Sequence, residues 1–309
     1  METPTALALV DGVDLTGKTC VITGATAGLG RESARALATT GVHVILAGRS
    51  AGALSEAQRW VCTEVPGART SSVQLDLTSL ESVRAAAATI ADITSAIHVL
   101  MNNAGVMFTP FGRTADGFEM QFGTNHLGHF ELSRLLVPQL VAAEGARIVN
   151  LSSDGHRLSD VDLDDPNWDN REYDKFVAYG ASKTANVLHV TELDRRLRDR
   201  GVRAYAVHPG VVATSLARHM TRDDFASLRG LGPTQPSEQT IDVRRDFTTA
   251  EHGAATQVWA AVSQDLADVG SVYLADCRIT DDVAPYALDA AHALALWNLS
   301  ERLCDSGIR

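Results

Sequence analysis

The sequence has little cysteine and no cysteine pair at the spacing of a metal site or a small disulfide framework. The cysteines are scattered through the 309 residues, at Cys20, Cys62, Cys277 and Cys304. Structural zinc sites and disulfide-rich domains both need closely spaced cysteines. We therefore expect ordinary thiols in a reducing compartment and no metal site.

Positive charge is also scarce. The sequence has 27 lysines and arginines against 38 aspartates and glutamates, and its formal net charge is −11. Proteins that bind nucleic acid use clustered positive charge to displace counterions from the phosphates. The composition therefore argues against a nucleic-acid partner.

Long apolar runs are absent as well. No uninterrupted stretch approaches the roughly 20 apolar residues that a helix needs to span a bilayer. The apolar patch at residues 6–10 is preceded by no basic residue, and acidic residues lie around it at Glu2, Asp11 and Asp14. A secretory signal would begin with a basic segment. We expect no signal peptide, no membrane insertion and a cytoplasmic location.

The sequence does contain a regular alternation of short β-branched runs and longer helical patterns. The predicted strands are 19–23, 42–47, 72–77, 97–105, 147–153, 202–210 and 271–275. The predicted helices are 31–39, 51–64, 79–93, 117–141, 176–200, 250–262 and 285–303. This order predicts an α/β fold with one doubly wound, seven-stranded parallel sheet and helices on both faces.

Two polar stretches, 154–175 and 215–248, interrupt the alternation. Ligands of doubly wound sheets bind beyond the carboxyl ends of the strands, where such loops lie. We expect both stretches to cover the active site. The length and the 45% apolar content suit one large domain over residues 1–309.

A glycine-rich turn, TGATAGLG at 23–30, follows the first predicted strand and precedes a helix. Glycines allow the backbone to turn sharply and to approach a pyrophosphate, whose charge is stabilised by the free amides of the helix N-terminus. The GxxxGxG spacing differs from GxGxxG and also fits a plain tight turn. Alone, it is a weak indication of dinucleotide binding.

The end of the second predicted strand, Gly48-Arg49, indicates which dinucleotide would bind. A fold that prefers NAD usually places a carboxylate on the adenosine ribose, about 20 residues beyond the glycines. Here there is no acid, and the Arg49 guanidinium could pair with a 2′-phosphate. We therefore favour NADP(H), with NAD(H) possible. In the alternative, Arg49 is a solvated loop residue.

Tyr179 and Lys183 lie four residues apart at the start of a predicted helix and therefore share one face. A nearby ammonium would lower the pKa of a tyrosine from about 10 toward working pH. Tyr179 could then act as a general acid in reduction or a general base in oxidation. Many helices have this spacing by chance, and surface packing is the alternative.

Together the motifs resemble the short-chain dehydrogenase/reductase family. From about Leu15 to Leu303 they follow that family's order, as TGATAGLG, Asp76-Leu77, NNAG (102–105), Asn125, NLSS (150–153), YGASK (179–183) and HPGVVAT (208–214). Residues 121–130, 178–193 and 248–259 resemble the retinol-dehydrogenase and WW-domain-oxidoreductase subgroup. The sequence contains neither the membrane anchor of the microsomal enzymes nor a WW domain.

The resemblance implies roles for the matching residues. Ser153 would polarise the carbonyl, Tyr179 would exchange the proton, and Lys183 would hold the nicotinamide ribose. Asn125 would position a water that links Lys183 to solvent. The implied cofactor-binding set is Gly24, Thr26, Gly28, Leu29, Gly30, Arg49, Asp76, Leu77, Asn103, Ala104, Gly105, Tyr179, Lys183, Pro209, Gly210, Val212 and Thr214.

The adjacent serines, Ser152 and Ser153, cannot both face the carbonyl if they continue a strand. The family pattern selects Ser153. Four histidines, His126, His129, His156 and His208, are expected to pack or form hydrogen bonds. The candidate pocket residues, which could equally be core, are Met107, Phe108, Trp168, Phe176 and Trp259.

The resemblance implies a single-domain Rossmann fold, with residues 15–153 mainly binding the dinucleotide and residues 154–309 mainly serving catalysis and substrate binding. The predicted function is hydride transfer between NADP(H) and a small carbonyl or alcohol substrate, a lipophilic aldehyde or ketone. The alternative is a catalytically idle dinucleotide-binding module that senses redox state. Helices 117–141 and 176–200 commonly form two-fold interfaces in related enzymes, which favours a homodimer or homotetramer.

Overall fold

The computed structural model describes residues 4–212, Met220, Asp224 and residues 248–306. The strands in this part of the chain are β1 (Thr19–Thr23), β2 (His43–Gly48), β3 (Thr70–Gln74), β4 (Val99–Asn102), β5 (Ala146–Leu151), β6 (Val202–Val207), β7 (Val272–Ala275) and β8 (Arg278–Ile279). They form one sheet in the order β3-β2-β1-β4-β5-β6-β7-β8. The predicted parallel set of seven is confirmed, and the short β8 adds an antiparallel edge.

The described helices are α1 (Gly28–Ala38), α2 (Ala51–Glu64), α3 (Leu80–Ile93), α4 (Met120–Phe122), α5 (Gly128–Leu135), α6 (Val137–Val141), α7 (Lys175–Leu197), α8 (Ala250–Gly253), α9 (Ala255–Val262) and α10 (Ala290–Ser306). Side-chain caps fix where several begin. The Ser50 hydroxyl accepts from the amide of Ala53 at the start of α2, and the Ser79 hydroxyl accepts from that of Ser82 in α3. These bonds satisfy amides that have no partner within the helix.

The predicted helix 117–141 is not one regular helix. A π-helical turn, Gly123–Leu127, separates α4 from α5, and the amide of Gly128 donates to the carbonyl of Gly123 five residues earlier. The helix breaks again at Leu136, two residues before Pro138, which has no amide hydrogen to donate. Hydrophobic periodicity predicted the helical segment but not these interruptions.

The sheet is buried on both faces because successive residues of each strand point to opposite sides. On β1, Val21 packs in one apolar core, and Cys20 and Ile22 pack in the other. On β4, Leu100 and Met101 divide in the same way. With both faces filled by apolar side chains, the carboxyl ends of the parallel strands are left to form a site.

The helix α10 covers α5 and α7. Its Trp297 ring lies 4.9 Å from the ring of Phe130 and 5.9 Å from that of His189, measured between centroids. Its Ser300 hydroxyl lies 2.8 Å from Nε2 of His126. The expected two-fold interface on helices 117–141 and 176–200 would therefore have to include α10. No helix in the described part of the chain has the length and apolarity to cross a membrane.

Candidate active site

A cavity of about 650 Å³ lies at the carboxyl ends of the strands. It brings together most of the residues that the sequence analysis assigned to one site. The assigned residues that line it are Gly24, Thr26, Gly28, Leu29, Gly30, Arg49, Leu77, Asn103, Ala104, Gly105, Ser153, Tyr179, Lys183, Pro209, Gly210 and Val212. Asp76 and Asn125 lie behind this wall, and Thr214 falls outside the described residues.

The turn between β1 and α1 has a shape that requires glycine. Gly24 has a φ of +66°, and a Cβ there would lie 2.9 Å from the Cα of Ala104. A Cβ on Gly30 would overlap the carbonyl oxygen of Gly24. The turn therefore leaves an open cradle at the N-terminus of α1, where amides without helical partners attract an anion. These residues fit the pyrophosphate of a dinucleotide.

The Thr23 hydroxyl joins this turn to the end of β4. Its oxygen accepts from the amides of Asn103 and Ala104, each at 3.0 Å. It also lies 2.9 Å from Nε2 of His129. Because the two amides use the acceptor capacity of the hydroxyl, Thr23 donates its own hydrogen to Nε2. This contact couples the glycine turn to helix α5.

His129 passes the connection on to Asn125. Its Nδ1 lies 2.9 Å from the Asn125 carbonyl, and with Nε2 accepting, Nδ1 carries the hydrogen and donates it. Burial lowers the pKa of His129 to about 4, so the ring is neutral at physiological pH. The sequence analysis expected a packing or hydrogen-bonding histidine here, but it did not identify the two partners.

Asn125 is fully buried in the π-helical turn and fixes the loop that follows β4. Its side-chain oxygen accepts from the Val106 amide at 2.8 Å, and its Nδ2 donates to the Val106 carbonyl and the Ser182 hydroxyl, each at 2.9 Å. These contacts tie the loop to α7. The water that the resemblance places at Asn125 stays a prediction.

Ser153 and Tyr179 face each other at the end of β5. The Ser153 hydroxyl accepts from the Gly155 amide at 3.1 Å and interacts with the phenol of Tyr179. Gly155 packs against the tyrosine ring, where a Cβ would come within 2.6 Å of Cε1. Both serines lie beyond the end of the strand, and the Ser152 hydroxyl donates instead to the backbone carbonyl of Lys183 at 2.9 Å.

Lys183 extends beneath the tyrosine. Its Nζ lies 5.7 Å from the centroid of the Tyr179 ring and donates to the Leu151 carbonyl at 3.1 Å. The Asn186 amide donates to the same carbonyl at 2.9 Å, so this carbonyl is held by two donors from α7. The Lys183 ammonium is thereby placed at the carboxyl end of β5, inside the cavity wall.

Burial is the main influence on the pKa values of Tyr179 and Lys183. It raises the pKa of Tyr179 to about 12, although the Ser153 hydroxyl acts in the opposite direction. It also lowers the pKa of Lys183 to about 8. The expectation that the lysine lowers the tyrosine pKa is therefore not met, because the loss of solvation on burial is the largest influence on the phenol. At neutral pH Tyr179 carries a proton that it can donate.

The remaining wall of the cavity is largely apolar. Met107 and Phe108 line it as anticipated, and the Phe176 ring supports Phe108 at a centroid distance of 4.7 Å. Trp168 does not reach the cavity and stacks on the Arg171 guanidinium at 3.9 Å, while Trp259 packs against a core. The cavity is also lined by residues that the sequence analysis placed in nearby loops or motifs without assigning them a role in the pocket: Asp154, Gly155, Leu158, His208, Val211 and Met220.

Arg49 lies at the mouth of the cavity and is exposed. Its carbonyl accepts from Nε2 of Gln74 at 3.0 Å, which fixes the backbone at the end of β2. Arg31, which follows the glycine turn directly, stacks on Trp60 at 4.4 Å and does not line the cavity. Arg49 is therefore the better placed of the two to meet a 2′-phosphate.

Asp76 and His156 both have hydrogen-bond partners in the fold. The Asp76 carboxylate accepts from the amide and hydroxyl of Thr78 at 2.9 and 2.8 Å. His156 Nδ1 lies 2.7 Å from the Ser153 carbonyl, and its Nε2 accepts from the Ala284 amide at 3.0 Å. Among the described residues, no three His, Cys, Asp or Glu side chains are grouped to hold a metal ion.

Comparison with known proteins gives close matches in sequence and structure. A family model described as short chain dehydrogenase matches residues 18–163 and 167–224. Retinol dehydrogenase 13 of Homo sapiens is 41% identical over 289 residues, which cover 93% of this chain and 84% of the relative. The chloroplastic short-chain dehydrogenase TIC 32 A of Brassica napus is 37% identical over 316 residues, covering 98% and 93%. The crystal structure of an uncharacterized protein from Mycobacterium paratuberculosis matches with a TM-score of 0.75 at 36% identity, covering 100% of both chains.

Proposed function

Because the chain belongs to the short-chain dehydrogenase family, we propose that it transfers hydride between NADP(H) and a lipophilic aldehyde or ketone, or the corresponding alcohol. As a member of this family it is an NAD(P)-dependent oxidoreductase that acts on CH–OH and C=O groups. One observation carries the finer proposal: Ser153, Tyr179 and Lys183 share a cavity with the glycine turn and Arg49.

The residues that would hold the dinucleotide follow the length of the cavity. The glycine turn would bind the pyrophosphate, Arg49 the 2′-phosphate, and Asn103 to Gly105 the adenosine side. Leu77, with Asp76 behind it, would border the adenine, and Pro209 to Val212 the nicotinamide. When bound, the cofactor supplies or accepts the hydride.

The protein's own residues would transfer the proton and stabilise the charge on the substrate oxygen. In reduction, Tyr179 would donate its proton to the carbonyl oxygen, and in oxidation it would take the proton from the alcohol. The Ser153 hydroxyl would donate a hydrogen bond to the same oxygen and relieve the charge that develops there. Lys183 would hold the ribose hydroxyls, and its positive charge would favour the phenolate that forms.

The apolar residues that line the cavity around Tyr179 favour a lipophilic carbonyl compound as the substrate. Apolar side chains of Met107, Phe108, Leu158, Val211 and Met220 line the cavity together with the apolar face of the Tyr179 ring. Such a surface binds hydrocarbon by removing it from water and leaves orientation to a few polar groups. The polar groups here are those proposed for catalysis.

A cofactor-turnover screen tests the reaction class. The enzyme is incubated with NADPH and panels of aldehydes and ketones, and with NADP⁺ and panels of alcohols, and each product is identified by mass spectrometry. We expect turnover of carbonyl compounds with apolar substituents. Cofactor binding without turnover of any carbonyl or alcohol would contradict the proposal.

Cofactor preference gives a separate prediction. Replacing Arg49 with alanine should raise the KM for NADPH by about ten- to a hundredfold, the effect of losing a charge-assisted contact, with little change for NADH. The measurement is kcat/KM for both cofactors in the wild type and the variant. An equal effect on both cofactors would show that Arg49 does not bind the 2′-phosphate.

Replacing Gly48 with aspartate is the complementary change. A Cβ at Gly48 would lie 3.3 Å from Cγ2 of Thr26 and 3.5 Å from Leu54, so the side chain needs only small shifts. The new carboxylate would repel a 2′-phosphate and accept hydrogen bonds from the ribose of NADH, which should move the preference toward NADH.

Domain organisation, location and assembly complete the proposal. We propose one domain, with residues 15–153 mainly for the dinucleotide and 154–309 mainly for catalysis and substrate. The cysteines among the described residues are free thiols, which suit the cytoplasm. We also propose a homodimer or homotetramer.

Light scattering tests the assembly. A two-fold assembly should give a mass of twice or four times 33.0 kDa at micromolar concentration. A monomer throughout that range would contradict it, and the cover that α10 provides over α5 and α7 would be the structural reason.

A further inference from the structure

We propose that Asp154 is a specificity-determining residue that makes the cavity discriminate against carbonyl substrates with a negative charge near the reacting group. This inference rests on the proposed function, since it concerns the substrate of the same site. It assigns to one residue a part of the discrimination against anions, beyond the cost of placing a charge against the apolar lining.

Asp154 occupies a position beside the proposed reacting groups. It lies between Ser153, whose hydroxyl faces the Tyr179 phenol, and Gly155, which packs against the tyrosine ring. All three residues line the cavity. The Asp154 side chain is 60% accessible, and the residue belongs to the wall of the space that a substrate would enter.

His208 contacts both the backbone and the carboxylate of Asp154. The Asp154 amide donates to Nδ1 of His208 at 3.3 Å. Nε2 of the same ring lies 3.3 Å from Oδ2 of Asp154. The imidazole therefore bridges the backbone and the carboxylate of one residue from the end of β6. These two contacts fix the orientation of the Asp154 side chain.

The positive charge of Arg157 neutralises the negative charge of Asp154 only in part. Its Nε lies 3.8 Å from Oδ1 of Asp154, while its Nη2 lies 2.6 Å from Oδ1 of Asp282. One guanidinium thus serves two carboxylates, and the three groups together carry one negative charge. Burial opposes ionisation of Asp154, but its hydrogen bond and charge interaction with His208, together with the charge of Arg157, outweigh burial and lower the pKa of Asp154. The group is therefore ionised at neutral pH.

The cost to an anionic substrate follows from Coulomb's law. Two like charges about 7 Å apart reduce binding by roughly threefold at the dielectric constant of water and by roughly fiftyfold at an effective dielectric constant of 20. The effective dielectric constant of a site that is partly open to solvent lies between these two values, and the reduction in binding therefore lies between the two estimates. We expect discrimination of about tenfold against a carboxylate placed one ring length from the carbonyl.

The test compares two aldehydes of matched size, 4-formylbenzoate and its neutral amide, 4-formylbenzamide. For each, kcat/KM and the Kd of the enzyme with NADPH present are measured in the wild type, in Asp154→Asn and in Asp282→Asn. Asparagine keeps an oxygen that can accept from His208. Asp282 is the matched control, because it contacts the same arginine, is 84% exposed and does not line the cavity.

The kcat/KM for the anionic aldehyde, divided by that for the neutral aldehyde, should rise about tenfold in Asp154→Asn and less than about twofold in Asp282→Asn. An unchanged ratio in Asp154→Asn, or an equal rise in both variants, would overturn the proposal. Binding without reduction of any carbonyl would contradict the proposed function, while the Kd ratio would still decide the role of Asp154. Failure of the wild type to bind either aldehyde would overturn the assignment of the cavity as the substrate site, and this inference with it.

Discussion

Replacement of Tyr179 with phenylalanine is expected to lower kcat by at least about 100-fold, the low end of what a positioned general acid contributes. The ring would keep its contacts with Phe108 and Gly155, since only the phenolic oxygen is removed. Cofactor affinity should therefore stay nearly unchanged. The measurements are kcat with the best substrate of the screen and the Kd of NADPH.

A second buried tyrosine supplies the control. Tyr205 is fully buried in β6, and its phenol donates to the Leu266 carbonyl at 2.6 Å, outside the cavity. Tyr205→Phe should cost about 1 kcal/mol of stability, the loss of one hydrogen bond, without a comparable loss of kcat. A Tyr179→Phe enzyme that retained more than about a tenth of wild-type kcat would show that Tyr179 is not the proton donor.

Lys183→Ala should differ from Tyr179→Phe by damaging both kcat and cofactor affinity. The ammonium is proposed to hold the ribose and also to stabilise the phenolate, so its removal affects both measurements. The two variants together separate the exchange of the proton from the binding of the cofactor.

Acidification from pH 7 to pH 5 is expected to destabilise the protein strongly through its buried histidines. Burial lowers the pKa of His126 to about 3 and that of His129 to about 4, from an ordinary value of 6.5. Because the folded-state pKa values are lowered, only the unfolded chain takes up these protons between pH 6.5 and pH 4. Stability is present above 6.5 and is lost as the pH falls, by about 2 kcal/mol per histidine at pH 5.

His189, whose pKa burial also lowers, adds to this loss. Together the three histidines represent a large share of the roughly 5–15 kcal/mol that stabilises a typical domain. Urea unfolding at the two pH values measures the effect. In His126→Gln the loss between pH 7 and pH 5 should shrink by about 2 kcal/mol, because one titrating group is gone.

Tyr205→Phe provides the comparison, since it removes a buried hydrogen bond, that from the phenol to the Leu266 carbonyl, but no histidine. It should lower the free energy of unfolding by the same amount at both pH values, since no histidine is removed. A wild-type free energy of unfolding that changes by less than about 1 kcal/mol between the two pH values would show that the buried histidines do not govern acid stability.

Several features of the fold could be predicted because they depend on local patterns. The β-branched runs gave the seven parallel strands, and the boundaries of α2 at Ala51–Glu64 matched the helical pattern closely. The glycine turn could be placed because its shape excludes a Cβ at Gly24 and Gly30. Each of these follows from residue type and spacing within a few turns of the chain.

Other features depend on contacts between distant residues and left no local signal. The bond from Thr23 to His129 joins residues 106 positions apart, and that from Asp154 to His208 joins residues 54 apart. The pKa of Tyr179 was misjudged for the same reason. The spacing of Tyr179 and Lys183 shows that they are neighbours, whereas the extent of burial depends on the whole fold.

The π-helical turn at Gly123–Leu127 gives the helix one more residue than an α-helix of the same rise would hold. The side chains before and after it are therefore out of phase by about 100°, the angle that one residue spans in a helix. Point substitutions preserve this offset, whereas deletion of one residue would turn the side chains on one side of it to a new face. The position of Asn125 is thus encoded in the length of the segment as much as in its composition. An alignment that places a gap here would mark a different geometry of the loop after β4, even if every motif residue were retained.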